Sequence, residues 1–226
     1  MPRSHQLPVV SSLAILAGGK PRPRVSLVSL AIRLSLLTIA WNAVAGVSTL
    51  AASLVTGSLS LGGFGLNTLI DTAASVAIVF RFRKEATDPA GAERLEKRAE
   101  IGIGLAMLAV ALYLTIQGLH ALLAGSHPQT YLIGLIVTSS SLILMPALAY
   151  AKARVAYLLG SRALRGDAIL TGASAALAAL TLTALLANSR LGWWWADAGV
   201  ALIIAGALTV EATRALLEGH RAAKAA

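Results

Sequence analysis

The sequence predicts an all-α membrane protein, a bundle of six transmembrane helices with both termini cytoplasmic. Three observations carry this reading. Of 226 residues, 57% are apolar and 13% charged, with a mean hydropathy of +0.75, whereas soluble domains are about 45–50% apolar and about 25% charged. The apolar residues gather into six runs, each long enough for a hydrocarbon core of about 30 Å. The basic residues gather in alternate loops, the asymmetry that orients a membrane protein.

In chain order the runs are Leu34–Leu54, Leu59–Phe82, Ile101–Ala124, Tyr131–Tyr150, Ala168–Ala187 and Trp194–Leu217. Between the second and third lie Arg81, Arg83, Lys84, Arg94, Lys97 and Arg98 with five acids. Between the fourth and fifth lie Lys152, Arg154, Arg162 and Arg165, and the two tails add Arg3, Lys20, Arg22, Arg24, Arg221 and Lys224. The other loops, 56–58 and 125–130, hold no basic residue, and 188–192 holds only Arg190. Cytoplasmic termini and an inner (plasma) membrane follow, with odd spans running outward. The chain divides into a flexible or membrane-surface tail over 1–24, a transmembrane domain over 25–219 and a short tail over 220–226. The run Leu7–Ala17 imitates a secretory signal, but no small-residue cleavage site is evident and the basic residues that follow oppose translocation.

The net charge of +9 is spent on these loops, so nucleic acid is not an expected partner; the lipid bilayer is. With no cysteine in the chain, disulfides, thiolate ligands and thiol nucleophiles are excluded. No enzyme constellation is present: Glu211, Arg214 and Glu218 are spaced as a helix salt-bridge ladder, and no Ser/His/Asp trio converges at one depth. Arg33 and Arg214 sit where they can snorkel to the headgroups. Trp193, Trp194 and Trp195 read as an interfacial anchor, and His120 and His127 as outer-end histidines. Pro146 predicts a kink in the fourth span, with Ser139, Ser140 and Ser141 upstream to take up released backbone groups.

Asp71 is the acid at the middle of a span, where a charge costs about 2.5–3.5 kcal/mol on insertion scales. Asn67, at i−4, shares its face. One reading makes Asp71 a buried carboxyl that keeps the bundle in register; the other makes it a carboxylate that binds a cation or exchanges a proton. Gly62, Gly63 and Gly65 would let a neighbouring helix approach, and the fifth span, through Thr171, Gly172, Ala173, Ser174, Ala175 and Ala176, offers a matching small-residue surface. Asn42 reads as an interhelical hydrogen-bonding residue or a further carbonyl ligand, and Asp197 as a helix cap or a lid contact.

Three stretches together resemble the transmembrane domain of the cation diffusion facilitator (cation efflux) family of metal/proton antiporters. They are Thr56-Gly-Ser-Leu-Ser-Leu-Gly-Gly-Phe-Gly-Leu-Asn67-Thr-Leu-Ile-Asp71, Ser161-Arg-Ala-Leu-Arg-Gly-Asp167-Ala, and Gly192-Trp-Trp-Trp-Ala-Asp197. The resemblance covers about residues 31–217 and implies a homodimeric antiporter that moves a divalent cation outward against protons. It places the transport site on two residues of the second span and two of the fifth. Those positions fall on Asn67 and Asp71, and on Leu170 and Ser174, so the metal ligands it implies are Asp71 and Asn67, with Ser174 as an additional oxygen. The family's C-terminal metal-binding domain is not expected, since the chain ends shortly after the sixth span.

At 1.5 Å per residue from the loop arginines, Asp71 lies about 15 Å deep and Ser174 about 13–14 Å, whereas Asp167 lies only about 3 Å beyond Arg165. Asp167 therefore reads as an N-cap or loop salt bridge, as a cation entrance or proton relay, or as a direct ligand. No cofactor is expected to be permanently bound. An all-oxygen ligand set favours Mn²⁺, Mg²⁺ or Fe²⁺ over Zn²⁺ as the substrate. The competing reading is a transport-inactive membrane scaffold or regulatory partner that kept the fold and lost the ligands, which accounts for Leu170.

Overall fold

Six apolar runs become six helices, each longer than the run that predicts it. The structure, a computed structural model, describes residues 24–85, 87–126, 128 and 132–224. The expected tail over 1–24 therefore falls almost wholly outside the described residues, as does His127. The helices are α1 (Arg24–Thr56), α2 (Leu59–Glu85), α3 (Pro89–Ala124), α4 (Leu132–Leu159), α5 (Arg162–Leu191) and α6 (Trp194–Lys224), and no strand occurs among the described residues. All six are long and apolar enough to cross a membrane. A helix of 33 residues such as α1 measures about 50 Å, so its ends reach beyond a core of about 30 Å.

The elongation matters most in α4. Its apolar run ends at Tyr150, yet the helix passes Pro146 and continues through Lys152 and Arg154 to Leu159 as one element. Of the serines expected to serve a kink, Ser140 bonds the Ile136 carbonyl and Ser141 accepts from Trp41 Nε1 at 3.1 Å. The helix α5 stops in a left-handed turn at Gly192 (φ 68°), where the amides of Gly192 and Trp193 return to the carbonyls of Asn188 and Ala187.

The most extensive pairings are α3 with α6, α1 with α2, and α4 with α5; α2 touches α1, α3, α5 and α6. The two inner helices are α2 and α5, whose membrane-spanning stretches are the most buried. Apolar side chains such as Val47, Leu54, Leu112, Ile116, Ile136 and Ile143 are exposed outward, as a lipid-facing belt requires.

The interior is divided. Between α2, α3, α5 and α6 lies an apolar core around Phe64, Met107, Leu114, Leu177, Ile204 and Leu208. Between α1, α2, α4 and α5 lies a seam of buried polar side chains, and α2 forms the wall between the two. Gly62 and Gly65 turn toward α1: a Cβ at Gly65 would stand 2.7 Å from Thr49 Oγ1, and one at Gly62 would stand 2.7 Å from Ser53 Oγ. Gly63 faces Leu114 of α3 and Ile204 of α6. The expected glycine contact with the fifth span is thus made with other helices. Of the small residues of α5, Gly172 is in ordinary contact with Ala149 of α4, while Thr171 and Ser174 face α2.

Candidate functional site

The seam is an antiparallel ladder of polar residues on α2 and α5. On α2, Asn67, Asp71 and Ser75 repeat every four residues and so share one face. On α5, Asp167, Thr171 and Ser174 do the same at spacings of four and three. The rungs pair in reverse order. Asn67 Nδ2 donates to Ser174 Oγ at 2.9 Å, Thr171 Oγ1 lies 3.4 Å from Asp71 Oδ1, and Ser75 Oγ donates to Asp167 Oδ1 at 2.8 Å. All six residues are buried.

Asp71 is 2% exposed. Its Oδ2 accepts from Asn42 Nδ2 of α1 at 2.8 Å and lies 3.4 Å from Ser174 Oγ. The depth arithmetic puts Asp71 and Ser174 at one level, and their oxygens do meet. Asn42 makes the interhelical bond expected of it, but its own Oδ1 is buried with no hydrogen-bond partner, the sole such side-chain atom found among the described residues. The amide nitrogen is committed to the Asp71 carboxylate, and an amide oxygen left without a donor is costly in a low-dielectric interior.

One turn along, at the Ser75 level, Asp167 is 3% exposed. It does not cap α5, because Ser161 does: its side chain accepts from the Leu164 amide. Nor does it lie at an open mouth. The ends of α1, α2 and α4 extend past this level and wall it in, and its partner is Lys152 of α4, whose Nζ lies 2.8 Å from Asp167 Oδ2. Lys152 is fully buried. Its ammonium also donates to Thr171 Oγ1 at 3.0 Å and Ser75 Oγ at 3.2 Å, so each of its three N–H bonds has an oxygen. Thr171 Oγ1 donates to the Asp167 carbonyl at 2.9 Å and stands between the ammonium and Asp71.

Sequence reasoning placed Lys152 in a basic loop and missed it. The signal was available in the buried stripe of α4: Gly134, Thr138, Ser141, Met145, Leu148, Lys152 and Val155 alternate steps of four and three, the spacing of one helix face. Continued past Tyr150, that period puts Lys152 inside.

Asp197 is 3% exposed and belongs to a separate station. It accepts from the hydroxyls of Ser58 (2.6 Å) and Ser60 (2.5 Å) and from the amide of Leu59 (2.7 Å). It therefore caps the start of α2 from α6. His120, Arg33 and Arg214 are exposed, away from the seam, and Arg214 pairs with Glu211 at 2.9 Å. Trp193 stacks on Trp195 with ring centroids 5.4 Å apart.

The family profile of the cation efflux transmembrane domain matches residues 35–221. The chain belongs to the cation efflux family. No curated protein matches it. As a cation-efflux transmembrane domain it is a multi-pass membrane protein of the transporter class, and its seam coincides with the positions at which the resemblance locates transport. Of those four positions, Asn67, Asp71 and Ser174 meet in the seam. Leu170 packs against the apolar core. No group of three or more His, Cys, Asp or Glu side chains that could hold a metal ion occurs among the described residues. Around Asp71 the donors are all oxygens and amides, a hard set without imidazole.

Proposed function

We propose that this cation-efflux protein carries a divalent cation outward across the plasma membrane in exchange for protons, with Asp71 as the central ligand. The single observation that carries this reading is the buried Asn42, whose amide nitrogen binds the Asp71 carboxylate while its Oδ1 has no partner. Asn67 and Ser174 stand within the same network and supply further oxygens on side-chain rearrangement. Oxygen ligands suit Mn²⁺, Mg²⁺ or Fe²⁺ better than Zn²⁺. The Asp167 station, one turn from Asp71, serves as the relay on the side of the basic loops, which the charge asymmetry makes cytoplasmic. A homodimer is part of the proposal.

A second reading, a transport-inactive scaffold, is favoured by the close packing of the seam, by the internal ion pair at Asp167 and by Leu170. Proteoliposome flux with Mn²⁺ or Zn²⁺ and a pH-sensitive dye separates the two. Transport predicts metal uptake with opposite proton movement in the wild type and its loss in Asp71→Asn. Silence in both proteins overturns transport, and equal flux in both removes Asp71 from the mechanism.

A further inference from the structure

The Lys152 ammonium is itself a cation held by protein oxygens. Asp167 Oδ2, Thr171 Oγ1 and Ser75 Oγ surround it at 2.8, 3.0 and 3.2 Å, all in the buried seam. Thr171 Oγ1 also borders Asp71, which Asn42 and Ser174 flank as well, and Asn42 keeps an unpaired oxygen. The ammonium therefore sits among the oxygens that would otherwise draw an ion entering between the two carboxylates.

We propose that Lys152 is a tethered occupant of the ion site, a fixed positive charge that fills the Asp167 half of the seam and sets the charge the remainder accepts. This rests on the reading of Asp71 as the ion-binding residue. With both carboxylates ionised, Asp71, Asp167 and Lys152 leave one negative charge unbalanced. A singly charged ion neutralises it. A divalent ion leaves an excess positive charge in a low-dielectric interior and meets repulsion from the ammonium at close range. Divalent binding in the wild type therefore requires the long, flexible lysine side chain to leave its three oxygens, and its affinity is reduced by the cost of breaking those contacts. Replacing the lysine by an uncharged side chain opens both carboxylates to one divalent ion.

The test is Mn²⁺ binding to the purified full-length protein in detergent, followed by the loss of the free-ion electron paramagnetic resonance signal. Lys152→Met is expected to bind Mn²⁺ at least about tenfold more tightly than the wild type, a difference of about 1.4 kcal/mol. Lys152→Arg, which keeps the charge, is expected to stay within about twofold of the wild type. The gain should vanish when Asp71→Asn or Asp167→Asn is added to Lys152→Met.

Removing the lysine strands Asp167, so the variant is also melted with and without millimolar Mn²⁺, which should restore stability by standing in for the ammonium. No gain in affinity, a gain that survives either Asp→Asn change, or a variant that stays unfolded even in Mn²⁺ each overturns the proposal. Because binding is read rather than flux, the two readings fail separately. A wild type silent in transport with a Lys152→Met gain sinks only the transporter. Asp71-dependent flux without that gain sinks only the tethered occupant.

Discussion

Lys152 Nζ and Asp167 Oδ2 lie 2.8 Å apart with side chains 0% and 1% exposed, an ion pair joining α4 to α5 inside the seam. Breaking a buried pair by removing one partner leaves the other charge uncompensated, which costs about 3–5 kcal/mol, whereas replacing both with apolar groups is often neutral or stabilising. Lys152→Met and Asp167→Leu should each lose stability of that order without added metal. The double substitution should recover most of it. Unfolding in detergent, monitored by tryptophan fluorescence, completes the cycle; two mild, additive single changes would show that the pair holds nothing together.

How closely α1 approaches α2 depends on Gly65. A Cβ there would meet Thr49 Oγ1 at 2.7 Å and Leu50 Cγ at 2.9 Å, and Thr49 is itself anchored by a 2.7 Å bond to the Ala45 carbonyl. Gly65→Ala must push the helices apart, at a cost of about 1–3 kcal/mol. Since Asn42 of α1 reaches Asp71 of α2 across this interface, the change should weaken cation binding as well. Gly102→Ala, with nothing within 4 Å of its added Cβ, is the control, and should leave stability unchanged or raise it by up to about 1 kcal/mol. Equal melting temperatures for the two variants would refute the close-approach argument.

The sequence shows the helices and Asp71 plainly because both are long-range contrasts: apolar runs against charged loops, and a single acid within an apolar run. The Gly62 region shows what such contrasts leave out. Missing bulk signals that some helix comes close, but α1, α3 and α6 satisfy that signal as well as α5 does, and only the packed bundle selects among them. Lys152 was hidden for a different reason. A lysine next to other basic residues reads as a loop, and its burial is tolerable only because Asp167, Ser75 and Thr171 converge on it from two other helices. Asp167 was legible as a candidate but set too shallow, since distance along α5 from Arg165 measures depth only if the neighbouring helices end at the same level.

Acid should loosen the connection between α2 and α3. There the Gly91 amide, bonded to Asp88 Oδ1 at 2.8 Å, holds the Asp88 carboxyl below its ordinary value of 3.8, with Lys84 assisting. A carboxyl whose folded value is depressed contributes stability that is fully present above the unfolded value and is lost as pH falls through the folded one. The start of α3 should therefore loosen below about pH 4. Asp88→Asn should flatten that limb of the melting-temperature profile while leaving the neutral region nearly unchanged. An unaltered acid limb would place the sensitivity elsewhere.

Asp197 determines where α2 begins, and α2 carries Asn67, Asp71 and Ser75. Its carboxylate takes the Ser58 and Ser60 hydroxyls and the Leu59 amide at 2.5–2.7 Å, joining the end of α2 to α6. Hydrogen bonds to a charged group are worth about 1.5–3 kcal/mol, so Asp197→Ala should cost at least that much, and Asp197→Asn less because it keeps one acceptor. If the residue acts through this cap, Ser58→Ala should cost less in the Asp197→Ala background than in the wild type, where it removes the bond to Asp197 as well as its own bond from the Leu61 amide. A residue serving instead as a lid contact would predict the opposite pattern: changed transport at unchanged stability, with no coupling to Ser58. Denaturation of the four proteins in detergent, read beside Mn²⁺ flux, separates a cap from a lid.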